Sequence, residues 1–185
     1  QELTAHGSEE MASSNDMTIN GDKLVAVASG KGGVGKTWFA ITLSHALARS
    51  GRRTLLFDGD LGLANVDIQL GLMPERDLGA VLSGKLSMRQ SVTKFPDGGF
   101  DIIAGRSGSG NLASLPAPRL NRILEDLSQL SDNYDHVIMD LGAGVDRTVQ
   151  LLAGSARTCI LVITEDPTSL TDAYAFIKVT RSNSP

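Results

Sequence analysis

Short, nearly continuous apolar runs alternate along this chain with longer stretches of helical spacing. The runs are Leu24–Ser29, Thr54–Asp58, Phe100–Ala104, His136–Asp140 and Thr158–Thr164. Most lack the in-and-out alternation of a sheet with one wet face, so they read as parallel strands covered on both sides. The clearest helix is Pro118 to Leu130, where Leu120, Ile123, Leu124, Leu127 and Leu130 share one face, a core stripe that packs on the sheet. A second helix runs from Lys36 to about Arg49, with Gly51 placed to end it. Pro96-Asp97-Gly98-Gly99 is turn chemistry ahead of the third run. Strands alternating with helices predict an α/β fold: a three-layer, doubly wound, mainly parallel sheet with helices on both faces. Ligands of such folds sit outside the carboxyl ends of the strands.

Composition narrows the picture. A chain of 185 residues with 41% hydrophobic content suits one domain with a sizeable core. The first 22 residues are polar, aromatic-free and aperiodic, and read as a flexible arm, leaving residues 23–185 as the domain. A net charge of −4 argues against general adhesion to nucleic acid. The lone cysteine, Cys159, excludes an internal disulfide and the paired thiolates of an iron–sulfur or zinc site within one subunit. It lies in the last apolar run and is expected to be a buried strand residue. No apolar segment approaches bilayer-spanning length, and the cytoplasm is the expected location.

The first apolar run leads directly into candidate chemistry. Gly30-Lys31-Gly32-Gly33-Val34-Gly35-Lys36-Thr37 is a complete G-x-x-x-x-G-K-[ST] loop between a strand and a helix, the context in which the pattern becomes a phosphate site. Its glycines let successive backbone N–H groups surround phosphate oxygens, and the helix start adds unpaired donors and a positive dipole end. Lys36 is placed to reach the β- and γ-phosphates, and the Thr37 hydroxyl to ligate Mg²⁺. The chain is therefore expected to bind a nucleoside triphosphate. Hydride transfer is disfavoured, because the glycines run directly into the Lys36-Thr37 pair of a phosphate cradle.

Aspartates gather at the carboxyl ends of two other runs. Asp58 and Asp60 lie 22 and 24 residues beyond Lys36, and Asp140 closes the fourth run. One strand-end aspartate is as readily a helix cap. Three beside a phosphate loop point to metal and water handling in the Walker-B manner. Gly142-Ala143-Gly144 follows as a turn able to sense a γ-phosphate.

These residues together resemble the MinD/ParA family of dimerising ATPases. Lys31-Gly32-Gly33-Val34-Gly35-Lys36-Thr37 matches its "deviant" Walker A loop. The segment Asp58 to Asp67 is similar to switch I, and Asp140-Leu141-Gly142-Ala143-Gly144 to switch II. Residues 165–174 look like the stretch that meets the nucleotide base. Gly-Leu-Ala-Asn-Val-Asp combined with Pro-x-Ser-x-Thr-Asp-Ala-Tyr resembles the FlhG/FleN branch, regulators of flagellar number and placement. The likeness covers roughly residues 23–181. It implies an ATP- and Mg²⁺-dependent homodimer that hydrolyses ATP slowly and is read by regulatory protein partners. Lys31 is implied to cross to the partner's phosphates while Lys36 serves its own subunit. Asp60 is implied in hydrolysis and metal binding, Asp58 in water placement, and Thr37 and Asp140 on the metal. Asn65 falls near the dimer face. Gly30 to Trp38 form the phosphate cradle, and Pro167 borders the base.

The chain also departs from the family pattern. Trp38 replaces a small polar residue, and a buried helix–sheet contact is its expected role. The chain stops short of the family's later strands and of any membrane-seeking C-terminal helix, so the C-terminal part is expected to be truncated. Peripheral association with the inner membrane would need that segment. The alternatives are a ParA-type DNA-segregation ATPase and a nucleotide-binding scaffold with little turnover. The first needs a basic surface, for which Arg49, Arg52, Arg53, Arg119 and Arg122 are the candidates, and the acidic balance makes DNA an unfavoured partner.

Overall fold

A computed structural model describes residues 21–60, 63–73, 76–105 and 115–182. All but the last two residues of the expected N-terminal arm lie outside the described residues. Among the described residues six strands form one sheet in the order β3-β4-β2-β5-β1-β6. They are β1 Leu24–Ser29, β2 Thr54–Gly59, β3 Thr93–Phe95, β4 Phe100–Ile103, β5 His136–Ala143 and β6 Thr158–Leu161. The helices are α1 Lys36–Arg49, α2 Val66–Gln69, α3 Leu78–Leu82, α4 Ala117–Ser131, α5 Arg147–Gly154 and α6 Pro167–Ser182.

All neighbouring strands are parallel except β3 and β4. The expected turn at Pro96–Gly99 is a hairpin joining them; β3, only three residues long, carries no periodic signal to reveal it. Strands β1, β2, β4 and β5 are buried on both sides, as their continuous apolar runs require. Alternate residues of each central strand enter opposite layers: Leu55, Phe57, Val137 and Met139 face α3, α4 and α5, whereas Leu56 and Ile138 face α1 and α2. The α4 stripe is buried as expected, each leucine or isoleucine contributing about 1.5–3 kcal/mol by leaving water. Truncating the fully buried Leu127 to alanine should cost about 2–5 kcal/mol. Gly51 adopts φ 82° just past α1, the left-handed conformation that ends a helix at little cost.

Cys159 departs from expectation. It is exposed, because β6 is the outermost strand on its side of the sheet among the described residues. The strand also ends at Leu161 rather than Thr164; the Thr164 N–H instead donates to the Ser169 hydroxyl, at 3.1 Å, starting the turn into α6. No helix among the described residues is long and apolar enough to cross a membrane.

Candidate nucleotide-binding site

Strand periodicity decides where the site carboxylates go. Asp58 lies two residues beyond Leu56, and Asp140 two beyond Ile138, so both enter the α1 layer. The β2–β5 register pairs Asp58 directly with Asp140, and both are fully buried. Burial pushes the Asp58 carboxyl up to about 7, helped by the charge of Asp140 and opposed by N–H donors from Val66 and Asp60. Asp140 is also raised, because its burial outweighs the pull of the adjacent Lys36 ammonium.

Lys36 and Thr37 open α1 against that second carboxylate. The Lys36 Nζ donates to Asp140 Oδ1 and the Thr37 hydroxyl to Asp140 Oδ2, each at 2.6 Å. Gly33 and Gly35 hold φ values of 79° and 89°, a region strained for any residue with a Cβ. Gly35 is the N-cap of α1, and no side chain caps the helix. The first-turn N–H groups are thus left to an outside acceptor, for which an anion is the natural choice.

A cavity of about 620 Å³ opens over this helix start, a size suited to a small-molecule ligand. Gly32, Gly33, Gly35, Lys36 and Thr37 form its floor. Gly59, Asp60, Leu63 and Asn65 form one wall, and Gly142, Ala143, Asp146 and Thr148 the other. Asp60 is built into a turn, its N–H donating to Asp58 Oδ1 at 3.2 Å and its Oδ1 accepting from the Leu63 N–H at 2.9 Å. The other oxygen of Asp58 accepts from the Asn65 and Val66 N–H groups, tying the start of α2 to the sheet. Leu61 and Gly62 of the same segment lie outside the described residues.

Several expected site residues do not line the cavity. Gly30 is a packing position, since a Cβ there would run into the backbone of Asp172 in α6. Val34, Asp58 and Asp140 are not part of the lining, and Pro167 is exposed at the start of α6. Lys31 turns away from its own cavity. Its Nζ donates to Asp166 Oδ2 and to the Thr168 hydroxyl, both at 2.7 Å; the Lys31 bond, with the Thr168 N–H and hydroxyl donating to Asp166 Oδ1, holds the Asp166 carboxyl down at about 2. Trp38 corrects the expectation of burial: it is 68% exposed and lies at the cavity rim beside exposed Leu63. Position 38 sits on the outer side of the first α1 turn, where no strand can cover it.

The donors near Thr37 are all oxygens, a set that suits Mg²⁺. Among the described residues no group of three or more His, Cys, Asp or Glu side chains is assembled to hold a metal. Mg²⁺ held there would take the rest of its ligands from water and phosphate oxygens, which is how the ion is usually bound beside a nucleotide. Sequence reasoning missed Asp146 and Thr148. Asp146 caps α5 by accepting from the Val149 N–H, and an aspartate three residues ahead of an apolar helical run was its available signal. It also missed that Asp166 and Thr168 hold Lys31; nothing local links residues 135 and 137 positions apart.

The sequence profile of the CobQ/CobB/MinD/ParA nucleotide-binding domain matches residues 25–169. The chain is 41% identical to the antiactivator FleN of Pseudomonas aeruginosa over 157 residues, covering 85% of this chain and 56% of that protein. It is 33% identical to the flagellum site-determining protein YlxH of Helicobacter pylori, covering 87% of this chain and 54% of the relative. The chain thus spans a little over half the length of these curated relatives. Among solved structures, the septum site-determining protein MinD of Pyrococcus horikoshii, complexed with Mg-ADP, superposes with a TM-score of 0.76 at 28% identity, covering 87% of this chain and 65% of that one. A MinC:MinD cell division complex from Aquifex aeolicus gives 0.72 at 28% identity, covering 86% and 64%.

Proposed function

The chain belongs to the CobQ/CobB/MinD/ParA nucleotide-binding domain family, and on that premise we propose that it is an ATP-dependent dimerisation switch that hydrolyses ATP slowly and regulates flagellar number or placement. The flagellar setting is supported by the likeness to FleN and YlxH, and nucleotide use by that to the Mg-ADP complex of MinD.

One observation carries the reading: the two lysines of the loop hold different partners, one at the cavity and one away from it. Lys36 lines its own cavity, whereas Lys31 does not and holds its ammonium among exposed groups. The phosphates settle on the free N–H groups of residues 32–37, and Lys36 exchanges Asp140 for β- and γ-oxygens. Thr37 and Asp60 would hold Mg²⁺, with Asp140 behind Thr37, and the ion would supply charge to neutralise the phosphates. Asp60 orients the attacking water, and Asp58 fixes the turn that presents Asp60. Lys31 leaves Asp166 to reach the phosphates of a second copy, supplying charge from outside as an arginine finger does. Exposed Trp38 and Leu63 at the cavity, with exposed Ile68 on nearby α2, give that copy an apolar surface to bury. Regulatory protein partners read the closed dimer, and the cytoplasm is its compartment.

Light scattering with ATP and then ADP tests the switch: a dimer with ATP alone is expected, and a monomer under both defeats it. Asp60→Ala should slow phosphate release about 100-fold or more with ATP still bound; normal turnover removes Asp60 from its role. The DNA-segregation reading loses ground because its arginines are split. Arg49, Arg52 and Arg53 lie at the far end of the α1 layer, whereas Arg119 and Arg122 belong to α4 on the opposite face.

A further inference from the structure

A second, larger depression lies on the layer opposite the nucleotide site. It has a volume of about 810 Å³ and runs between α4 and the segment from α3 to residue 90. It shares no residue with the nucleotide cavity. Its floor is apolar: Met88, Ile123 and Leu130 are buried, and Val81, Leu82 and Leu86 are half-buried. Its rim is basic. Lys85, Arg89, Arg119 and Arg122 are all exposed, against a single lining carboxylate, Asp126. Among the described residues none of these four cations makes an ion pair, although the chain as a whole carries a net charge of −4.

An unpaired basic rim around an apolar floor is out of keeping with a surface meant only for water. Lining residues extend along α4 from Pro118 to Leu130, which at ~1.5 Å per residue is a groove about 18 Å long. That is too extended for a compact metabolite and matches about three turns of a helix. Apolar anchors at i, i+3, i+4 and i+7 would meet the floor, while acidic residues between them would meet the rim.

We propose that this groove docks an acidic amphipathic helix of a partner protein. Lys85 and Arg89 clamp it from one bank and Arg119 and Arg122 from the other. Complementary charge sets its orientation and speeds encounter, and the apolar floor supplies affinity. The docking surface stands on the layer away from the phosphate loop, so occupancy does not obstruct nucleotide.

The test uses the intact protein and a fluorescein-labelled peptide of about 15 residues, roughly four helical turns, with leucines at helical spacing and glutamates between. Anisotropy should show saturable micromolar binding that weakens with salt without vanishing. Arg119→Glu combined with Arg122→Glu should weaken it by about tenfold or more, and Arg49→Glu with Arg52→Glu, on the other layer, should leave it unchanged. ATP turnover should be the same in both variants, so this outcome is separable from that of the nucleotide switch. No saturable binding, or equal binding by the Arg119/Arg122 variant, overturns the proposal. So does equal binding of a scrambled peptide of the same composition, or displacement by an equally long DNA oligonucleotide at equal concentration, which would mark a generic polyanion surface.

Discussion

Lys31 and Lys36 share one loop, and each ion pair is short, 2.7 Å and 2.6 Å, yet the two lysines live in different physical regimes. Lys36 is 8% exposed and faces a carboxylate with no solvent access; Lys31 and Asp166 are 33% and 47% exposed. Burial makes the first pair costly to break, because either partner alone leaves an uncompensated charge in a poorly solvated place. Water screens the second, so it can open at little cost. In the proposed switch, the ammonium assigned to its own phosphates thus sits in a dry setting, and the one assigned to a neighbour sits in a wet one.

The largest effect should come from removing the buried partner. Lys36→Ala is expected to weaken ATP binding by about 100-fold or more and to destabilise the fold by about 3 kcal/mol; calorimetry with Mg·ATP and urea titration read the two losses. Equal ATP affinity in mutant and wild type would falsify the site assignment.

Next in size is a pH effect in the same buried region. The Asp58 carboxyl titrates near 7 when folded, against an ordinary value of 3.8. Between those values the folded state holds a proton that the unfolded chain has lost. Stability from this group is therefore complete below about pH 4 and falls as pH rises toward 7, by at most about 1.4 kcal/mol per pH unit. Asp58→Asn should flatten the urea-midpoint profile between pH 5 and 7, and an unchanged slope would remove Asp58 as its source.

Lys31→Ala should leave the melting temperature and the ATP affinity of the monomer unaltered while abolishing the ATP-induced dimer. Loss of monomeric ATP binding in that variant would mean the two lysines do not divide their labour. The smallest effect belongs to Trp38, the chain's one tryptophan. Its emission should shift to shorter wavelength when ATP drives pairing and stay put with ADP. Trp38→Asn should keep ATP binding and weaken the dimer by a few-fold, as loss of one rim contact does. Emission that responds equally to both nucleotides would place Trp38 on the ligand rather than on the partner.

Much of this site is legible in the order of residues alone. The loop from Gly30 to Thr37 is contiguous, and the left-handed conformations of Gly33 and Gly35 are ones glycine permits without strain. The apolar runs locate five of the six strands, and the α4 stripe its helix, because period and burial are local properties. Asp58, Asp60 and Asp140 are legible as strand-end carboxylates, yet nothing in their spacing says that the first and last lie side by side.

The chain by itself therefore determined an α/β phosphate-binding domain: backbone geometry near a glycine and the amphipathic period of a helix depend on neighbours a few residues away. Only the tertiary structure decided that β5 sits between β2 and β1, and so paired Asp58 with Asp140. It alone set Lys31 against Asp166, left Trp38 and Cys159 in solvent, and gathered four cations around one groove. Those outcomes follow from strand order and layer packing, which bring together residues that share no local signal.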